Sequence, residues 1–355
     1  MVSQQSLFAE YIPIVAKFPS TRYQGSKLKF VDWIWDCVKD MPFHSVLDAF
    51  GGTGSVSFRF KEEGKKVTYN DILPFNHIIG KALIENVKTC LEDFEVDVLL
   101  RKDANIEYPD FIERTFKGIY FTDEENRWLD IVSTNIRCMD NSYKQAIAYF
   151  ALFQSCIIKR PYNLFHRKNL YVRLQDVERS FGNKKTWDTP FEEHFRKFIK
   201  EANNAIFDNG EICRSINRNI FDVESNYDLV YIDTPYLNDR GIGVDYADFY
   251  HFLNGLVDYD NWGNRIDYKS KHLRLIREQN VWNDSGSIRQ AFEQLFTQFQ
   301  NSIMAISYRS NGIPSINEIV EMLENLGKNI RIYQSSDIKY VLSTKHSNEI
   351  LIVAY

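Results

Sequence analysis

Ser45-Val-Leu-Asp-Ala-Phe-Gly-Gly-Thr-Gly54 decides how this chain folds. Val46 and Leu47 make an apolar run that reads as a strand over His44 to Phe50. Gly51, Gly52 and Gly54 follow, and glycines let a backbone approach a ligand closely. Ser55 to Glu63 reads as a helix closed by Gly64, and Lys66 to Tyr69 as the next strand, ending in Asn70 and Asp71. A strand, glycine loop, helix and strand, with an acid about 20 residues past the loop, is the pattern of an α/β nucleoside site. The acid at the second strand's tip can hold two ribose hydroxyls. A glycine loop alone is only a tight turn; Asp71 is what strengthens it. The later glycine spacing of dinucleotide binders is missing, as is a phosphate-loop Lys-Ser/Thr pair after Gly54, so the cofactor stays open at this point.

A second stretch supplies the chemistry: Asp228-Leu-Val-Tyr-Ile-Asp-Thr-Pro-Tyr236. Leu229 to Ile232 read as a buried strand that runs directly into Asp233, Thr234, Pro235 and Tyr236. In open α/β sheets ligands sit beyond the carboxyl ends of strands. Asp233 can accept a hydrogen bond from an amino group. Pro235 holds Thr234 extended, which aims the Thr234 carbonyl at the same group. Tyr236 can stack on a flat ring. In isolation the stretch also fits a plain strand end and turn.

Outward from these two anchors, the first 20 residues show little periodicity and read as an arm or loop. Thr21 to Lys29 carries Gly25 beside Lys27, and Leu28 to Val38 has helical spacing with Phe30, Ile34 and Val38 on one side. Residues 76 to 205 are mostly helical in pattern, as in Ile78 to Val87, Thr122 to Ile136 and Tyr143 to Ile158. Within them Lys159 to Arg173 mixes cations, amides and aromatics without an acid. Such a stretch suits phosphates and base edges, or else is a solvated hairpin. The sheet resumes at Asn219 to Val223 and at 229–232, with further strands at Ser302 to Ser307, Ile330 to Gln334 and Glu349 to Tyr355. Ile316 to Leu326 is a helix capped by Gly327. Asn238 to Ser287 is long, polar and aromatic, the character of a lid or binding segment, or of a peripheral packing unit.

The chain has 355 residues, 44% hydrophobic and 15% aromatic, enough for a large core. No apolar run nears the roughly 18 residues of a membrane span, and no signal peptide is evident. Five scattered cysteines, Cys37, Cys90, Cys138, Cys156 and Cys213, fit neither a disulfide framework nor a zinc site and point to reduced thiols in a cytosol. The net charge of -5 argues against an indiscriminate polycation; any nucleic acid must be held by a local patch.

In kind and order these motifs resemble the Dam-like, D12-class adenine-N6 DNA methyltransferases: Tyr23-x-Gly25-x-Lys27, then Asp48-x-Phe50-x-Gly52-x-Gly54, Asn70-Asp71, an insertion, and Asp233-x-Pro235-Tyr236. Asn163 to Arg173 looks like that family's DNA-contacting hairpin, and Ser343 to Tyr355 is similar to its closing motif. The family has two prolines where this chain has Thr234-Pro235; a backbone carbonyl is what the position requires, and threonine supplies one.

The resemblance implies S-adenosyl-L-methionine as cofactor and no metal. Asp48, Phe50, Gly52 and Gly54 would line it, Asp71 would hold its ribose, and Asp222 would contact its adenine. Tyr23, Gly25 and Lys27 would sit at its methionyl end, Lys27 opposing the carboxylate. Asp233, Thr234, Pro235 and Tyr236 would act on a flipped-out adenine. Arg160, Asn163, Arg167, Lys168, Asn169, Tyr171 and Arg173 would contact double-stranded DNA.

The expected architecture is α/β: a Rossmann-like methyltransferase sheet with helices on both faces, interrupted by a mainly helical target-recognition domain. Residues 1–85 and 206–355 form the catalytic domain and 86–205 the insertion, with 238–287 a possible lid or DNA-contacting segment. The implied function is site-specific N6-adenine methylation in a bacterial restriction–modification setting, in the cytoplasm, beside a restriction endonuclease that acts separately. Two rivals remain: a cytosine-N4 or RNA amino-methyltransferase of the same fold, and a DNA-binding relative without activity.

Overall fold

The structure is a computed structural model that describes residues 16–175, 184–238, 240–335 and 349–355. Most of the expected N-terminal arm and residues 343–348 of the closing motif lie outside them.

Seven strands form one sheet: β1 (Ser45–Asp48), β2 (Lys66–Asn70), β3 (Arg214–Ile216), β4 (Leu229–Ile232), β5 (Ile303–Arg309), β6 (Ile330–Gln334) and β7 (Glu349–Ala354). Their spatial order is β3-β2-β1-β4-β5-β7-β6. The first five run parallel, and β7 is antiparallel to both its neighbours. The mixed sheet agrees with the expected fold class. β1 shows why its sequence reads as it does. Val46 packs into one hydrophobic cluster and Leu47 into another on the opposite face. In β4, Leu229 and Tyr231 join the first cluster, Val230 and Ile232 the second. A strand covered on both faces must be apolar throughout, which explains the unbroken run 229–232.

One expected strand is displaced. Asn219 to Val223 contains a single 3-10 turn, Ile220–Asp222, and the edge strand lies just before it at Arg214–Ile216. Asn219 accepts a hydrogen bond from the Phe221 amide through its side chain, and this local bond favours the turn over a ladder.

The helix Ser142–Ile158 is buried along nearly its whole length and packs against the helices Phe191–Asn203 and Pro74–Gly80. A helix that is apolar all round has to lie inside. Its Phe150 and the neighbouring Phe195 share one continuous hydrophobic cluster with Val46 and Tyr231 of the sheet. The helices between 86 and 205 therefore share one core with the face of the sheet that carries Val46 and Tyr231. No helix among the described residues is long and apolar enough to cross a membrane.

Candidate active site

β1 lies between β2 and β4, all parallel, so residues ending these strands rise from one sheet edge. Asp48 closes β1, Asp71 follows β2 and Asp233 follows β4. This is where strand order reverses, the place where open α/β sheets bind ligands. A cavity of about 530 Å³ opens there, lined by all three acids, by Phe50 to Thr53 and by Thr234 to Tyr236.

The glycine loop forms one half of the cavity. Gly52 and Gly54 both have left-handed backbone, with φ of 52° and 77°. Asp71 pins this loop from beneath: its Oδ2 accepts from the Gly52 amide at 2.9 Å and the Asn76 side chain at 3.0 Å, its Oδ1 from the Leu73 amide at 2.8 Å. Burial pushes the Asp71 carboxyl up to about 6 against those three bonds. Asp48 Oδ2 accepts from Ser57 Oγ at 2.7 Å, whereas its buried Oδ1 has no hydrogen-bond partner among the described residues. Burial first, then repulsion from Asp233 and Asp71, lifts Asp48 to about 7, with Ser57 opposing. Beside it Phe50 meets Trp282 edge-on at 5.2 Å and Phe221 stacks on Trp282 at 5.9 Å, which makes an aromatic wall. Asp222 is not part of it. The 3-10 turn leaves Asp222 exposed and outside the lining, and Asn219, Ile220 and Phe221 stand there instead.

The other half centres on Asp233. Lys27 Nζ lies 3.0 Å from Asp233 Oδ1 and 3.0 Å from Glu349 Oε1, with all three side chains largely buried. Ser307 Oγ donates to the same Glu349 oxygen. Burial alone would lower the Lys27 ammonium, but Asp233 and Glu349 outweigh it and hold Lys27 well above its usual value. Lys27 is thus committed to two protein carboxylates, which corrects its expected place opposite a cofactor carboxylate. Burial lifts Asp233 to about 6, Lys27 pulling the other way and Glu349 adding to the rise. The second oxygen of Asp233 receives no hydrogen bond from any described group, and neither does the Thr234 carbonyl. Tyr236 is half-buried between Lys27 at 5.8 Å and Arg309 at 5.4 Å from its ring centre. Tyr23 lies in a stack, 4.4 Å from Tyr250 and 5.7 Å from Tyr246. Gly25 is required there: a Cβ would come 2.5 Å from the Tyr246 hydroxyl.

Lys27 sets the ionisation of Asp233, and this can be measured. In Lys27→Met the Asp233 and Glu349 carboxylates face each other without a cation, which raises the apparent pKa of the pair. Carboxyl-carbon NMR of the labelled protein should therefore show the pair titrating at higher pH than in the wild type. A titration that stays in place would show that Lys27 has another task.

The basic segment departs most from expectation. Lys159 to Arg173 is no β-hairpin: it forms a 3-10 turn at Pro161–Asn163 and a short helix at Leu170–Leu174. Arg160 is fully buried and donates to the carbonyls of Leu164, Tyr120 and Arg167 and to the Asn169 side chain. Arg173 is buried in a bidentate pair with Glu125, at 2.9 and 2.7 Å, and Lys159 also reaches Glu125 at 2.9 Å. Arg160, Asn169 and Arg173 are thus internal struts and are not open to a ligand. Arg167, Lys168 and Tyr171 are exposed and Asn163 partly so.

Glu349, Ser307 and the Trp282 wall escaped the sequence reading. Glu349 left one signal, an acid at the head of an otherwise apolar strand, the same mark that Asp48 and Asp233 leave at strand tails.

A seven-stranded sheet with acids at the tips of three adjacent parallel strands defines a class, the Rossmann-like methyltransferases. Within it, this chain belongs to the D12 class N6 adenine-specific DNA methyltransferase family, whose sequence model matches residues 23–322. It is 29% identical over 341 residues to the Type II methyltransferase M2.HphI of Haemophilus parahaemolyticus, covering 94% of this chain and 95% of the relative. It is 23% identical to M.NlaIII of Neisseria lactamica, covering 86% and 88%. To M.FokI of Planomicrobium okeanokoites it is 25% identical over 92% of this chain, which spans 50% of that longer protein.

Proposed function

We propose that the cavity binds S-adenosyl-L-methionine against the glycine loop and a flipped-out adenine of duplex DNA against Asp233 to Tyr236, in a restriction–modification setting like that of the Type II relatives. The observation that carries this reading is the pair of unsatisfied acceptors, the second Asp233 oxygen and the Thr234 carbonyl, at the mouth of the strand edge. Two acceptors beside a stacking ring suit an aromatic amine with two N–H bonds. The chain fits the cofactor through Asp48, whose buried and unpartnered Oδ1 would accept from its ammonium. Phe50, Phe221 and Ile72 offer an apolar slot for its adenine ring. Asp71 would act on the ribose side chiefly by fixing the Gly52 loop, since three of its four acceptor positions are already used.

When bound, S-adenosyl-L-methionine supplies a sulfonium methyl group open to nucleophilic attack. The chain's part is to prepare the nitrogen. The N6 lone pair of adenine is delocalised into its ring. Hydrogen bonds from N6 to Asp233 and to the Thr234 carbonyl would draw the nitrogen toward tetrahedral geometry and free that pair. Lys27 keeps Asp233 an acceptor, and Tyr236 would hold the ring by stacking. The burial of Lys27 and Asp233 strengthens these interactions. The transfer needs orientation and electrostatics, and no covalent enzyme intermediate.

The test is incubation with methyl-labelled cofactor and mixed-sequence duplex DNA, followed by nucleoside analysis. N6-methyladenine is expected; N4-methylcytosine, or no label in the DNA, would overturn the assignment. A second test addresses the cofactor. Asp48→Asn should weaken S-adenosyl-L-methionine binding by about 1.5–3 kcal/mol, the range for a hydrogen bond to a charged group. Calorimetry giving an unchanged dissociation constant would remove Asp48 from the site.

A further inference from the structure

Arg265 to Arg277 holds five Lys or Arg residues (Arg265, Lys269, Lys271, Arg274 and Arg277) and one acid, Asp267, in a chain of net charge -5. The segment folds back on itself. Ile266 and Leu275 form an antiparallel bridge, the Asp267 amide donates to the Arg274 carbonyl at 2.8 Å, and the Ile276 amide to the Arg265 carbonyl at 2.8 Å. Ser270 to Leu273 closes the turn at its end. A hairpin-like loop of basic composition therefore does exist in this fold, about a hundred residues beyond the stretch whose composition suggested one.

Its cations divide into two groups. The arginines hold the loop in place: Arg265 pairs with Asp258 at 2.8 Å, Arg274 with Asp267 at 3.2 Å and Arg277 with Asp248 at 3.2 Å. His272 also faces Asp248, at 3.5 Å. Glu278 lies at the base, 3.8 Å from Arg265. Lys269 and Lys271, at the tip, are exposed, and neither ammonium has an ion pair among the described residues. Tyr268 beside them is exposed as well. The acids near the loop are thus taken up by arginines, and the lysines face solvent with their charge unspent.

The loop's position relates it to the reaction. Its base lines the active cavity through Arg265, Leu275, Ile276 and Arg277. Its tip is tied to the basic segment 159–173 by the Tyr120 hydroxyl, which lies 2.6 Å from the His272 carbonyl and 2.7 Å from the Phe165 carbonyl. Phe165 and His166 in turn pack on Phe249, through a 2.9 Å backbone bond and a 4.9 Å ring contact. Exposed Arg167 and Lys168 follow directly. Two short basic segments, neither burdened by a free acid at its tip, are thus built onto one support beside the cavity.

We infer that the 265–276 loop grips the phosphate backbone of duplex DNA beside the target adenine, Lys269 and Lys271 making the contacts. This rests on the DNA-methyltransferase reading above and adds to it the surface that holds the substrate. An acidic protein is repelled by DNA overall, so binding must come from places where positive charge is locally uncompensated.

The experiment uses the full chain carrying Lys269→Ala and Lys271→Ala, and measures affinity for a target and a scrambled duplex across a salt series. Both lysines are exposed, so the fold should persist. Each phosphate contact contributes about 0.9 to the slope of log affinity against log salt, so the double variant should lose roughly 1.8 units of slope. Affinity should fall by one common factor on both duplexes. The variant with arginine at both positions should restore the slope. A slope and affinity equal to the wild type would overturn the proposal, and so would a loss confined to the target duplex, which would mean base reading. Methylation by the wild type on the same duplexes is scored separately. If the wild type binds DNA without methylating adenine, the functional reading fails while the loop is still judged by its salt slope.

Discussion

Asp233→Ala should lose methyl transfer by at least about a hundredfold in single-turnover assays, the usual consequence of removing one preorganised electrostatic partner. The size follows from how few groups share the task. Of the three acids at the sheet edge, Asp71 is occupied by three protein donors. Asp48 belongs to the glycine-loop half. Asp233 alone combines a buried carboxylate, a cation that keeps it charged and an oxygen without a donor. Lys27 keeps Glu349 when Asp233 is removed, so no unpaired charge is left in the core and the fold should tolerate the change. Binding of DNA and cofactor should stay close to wild type. Asp233→Asn keeps the shape but turns an acceptor-only group into one that also donates, and it should lose nearly as much. Transfer at the wild-type rate in Asp233→Ala would mean that the reacting centre lies elsewhere.

The contrast between this centre and the basic segment shows what a sequence discloses. Asp48 and Asp233 end apolar strands that are buried on both faces, and a carboxylate at such a point has few structural reasons to be there. Local pattern and chemistry coincide, so the strand ends were legible. Asp222 failed because it closes a turn that, with Ile220, Phe221 and the following Val223, imitates a strand in composition, while the true edge strand Arg214–Ile216 is short and half polar. Lys27 was placed at the site only through the family resemblance, and its pairing was not legible, since its second partner, Glu349, stands near the end of the chain. The stretch 159–173 misled for a similar reason. It contains no acid, which suggested free cations, yet Glu125 from another helix pairs with both Lys159 and Arg173. Arg160 needs no acid at all, because its acceptors are backbone carbonyls, which every sequence has and no composition reveals. The loop at 265–277 carries an acid, but that acid is spent on Arg274.

Arg160→Ala should therefore act on the fold and leave sequence recognition alone. The guanidinium is buried against the Tyr120 ring at 4.3 Å and satisfies acceptors on Tyr120, Leu164, Arg167 and Asn169. Truncation would orphan several of these in the interior. Each buried acceptor left unmade costs about 1–3 kcal/mol, and Arg173 reaches only the Tyr120 carbonyl, at 3.4 Å, so a total loss of roughly 3 kcal/mol or more is expected. That is a large part of the 5–15 kcal/mol by which folded domains are stable. Urea unfolding should show a lower midpoint with an unchanged slope against denaturant. Arg173→Ala should lose less, because Lys159 remains on Glu125. The informative comparison is DNA preference, measured on protein still folded in the absence of urea. A base reader would relax discrimination at one position by about 1–3 kcal/mol. A strut weakens the support beneath Arg167 and Lys168 and lowers affinity for all sequences alike. If Arg160→Ala proves as stable as the wild type and changes the preferred site, the guanidinium must leave its carbonyls and turn outward when DNA binds.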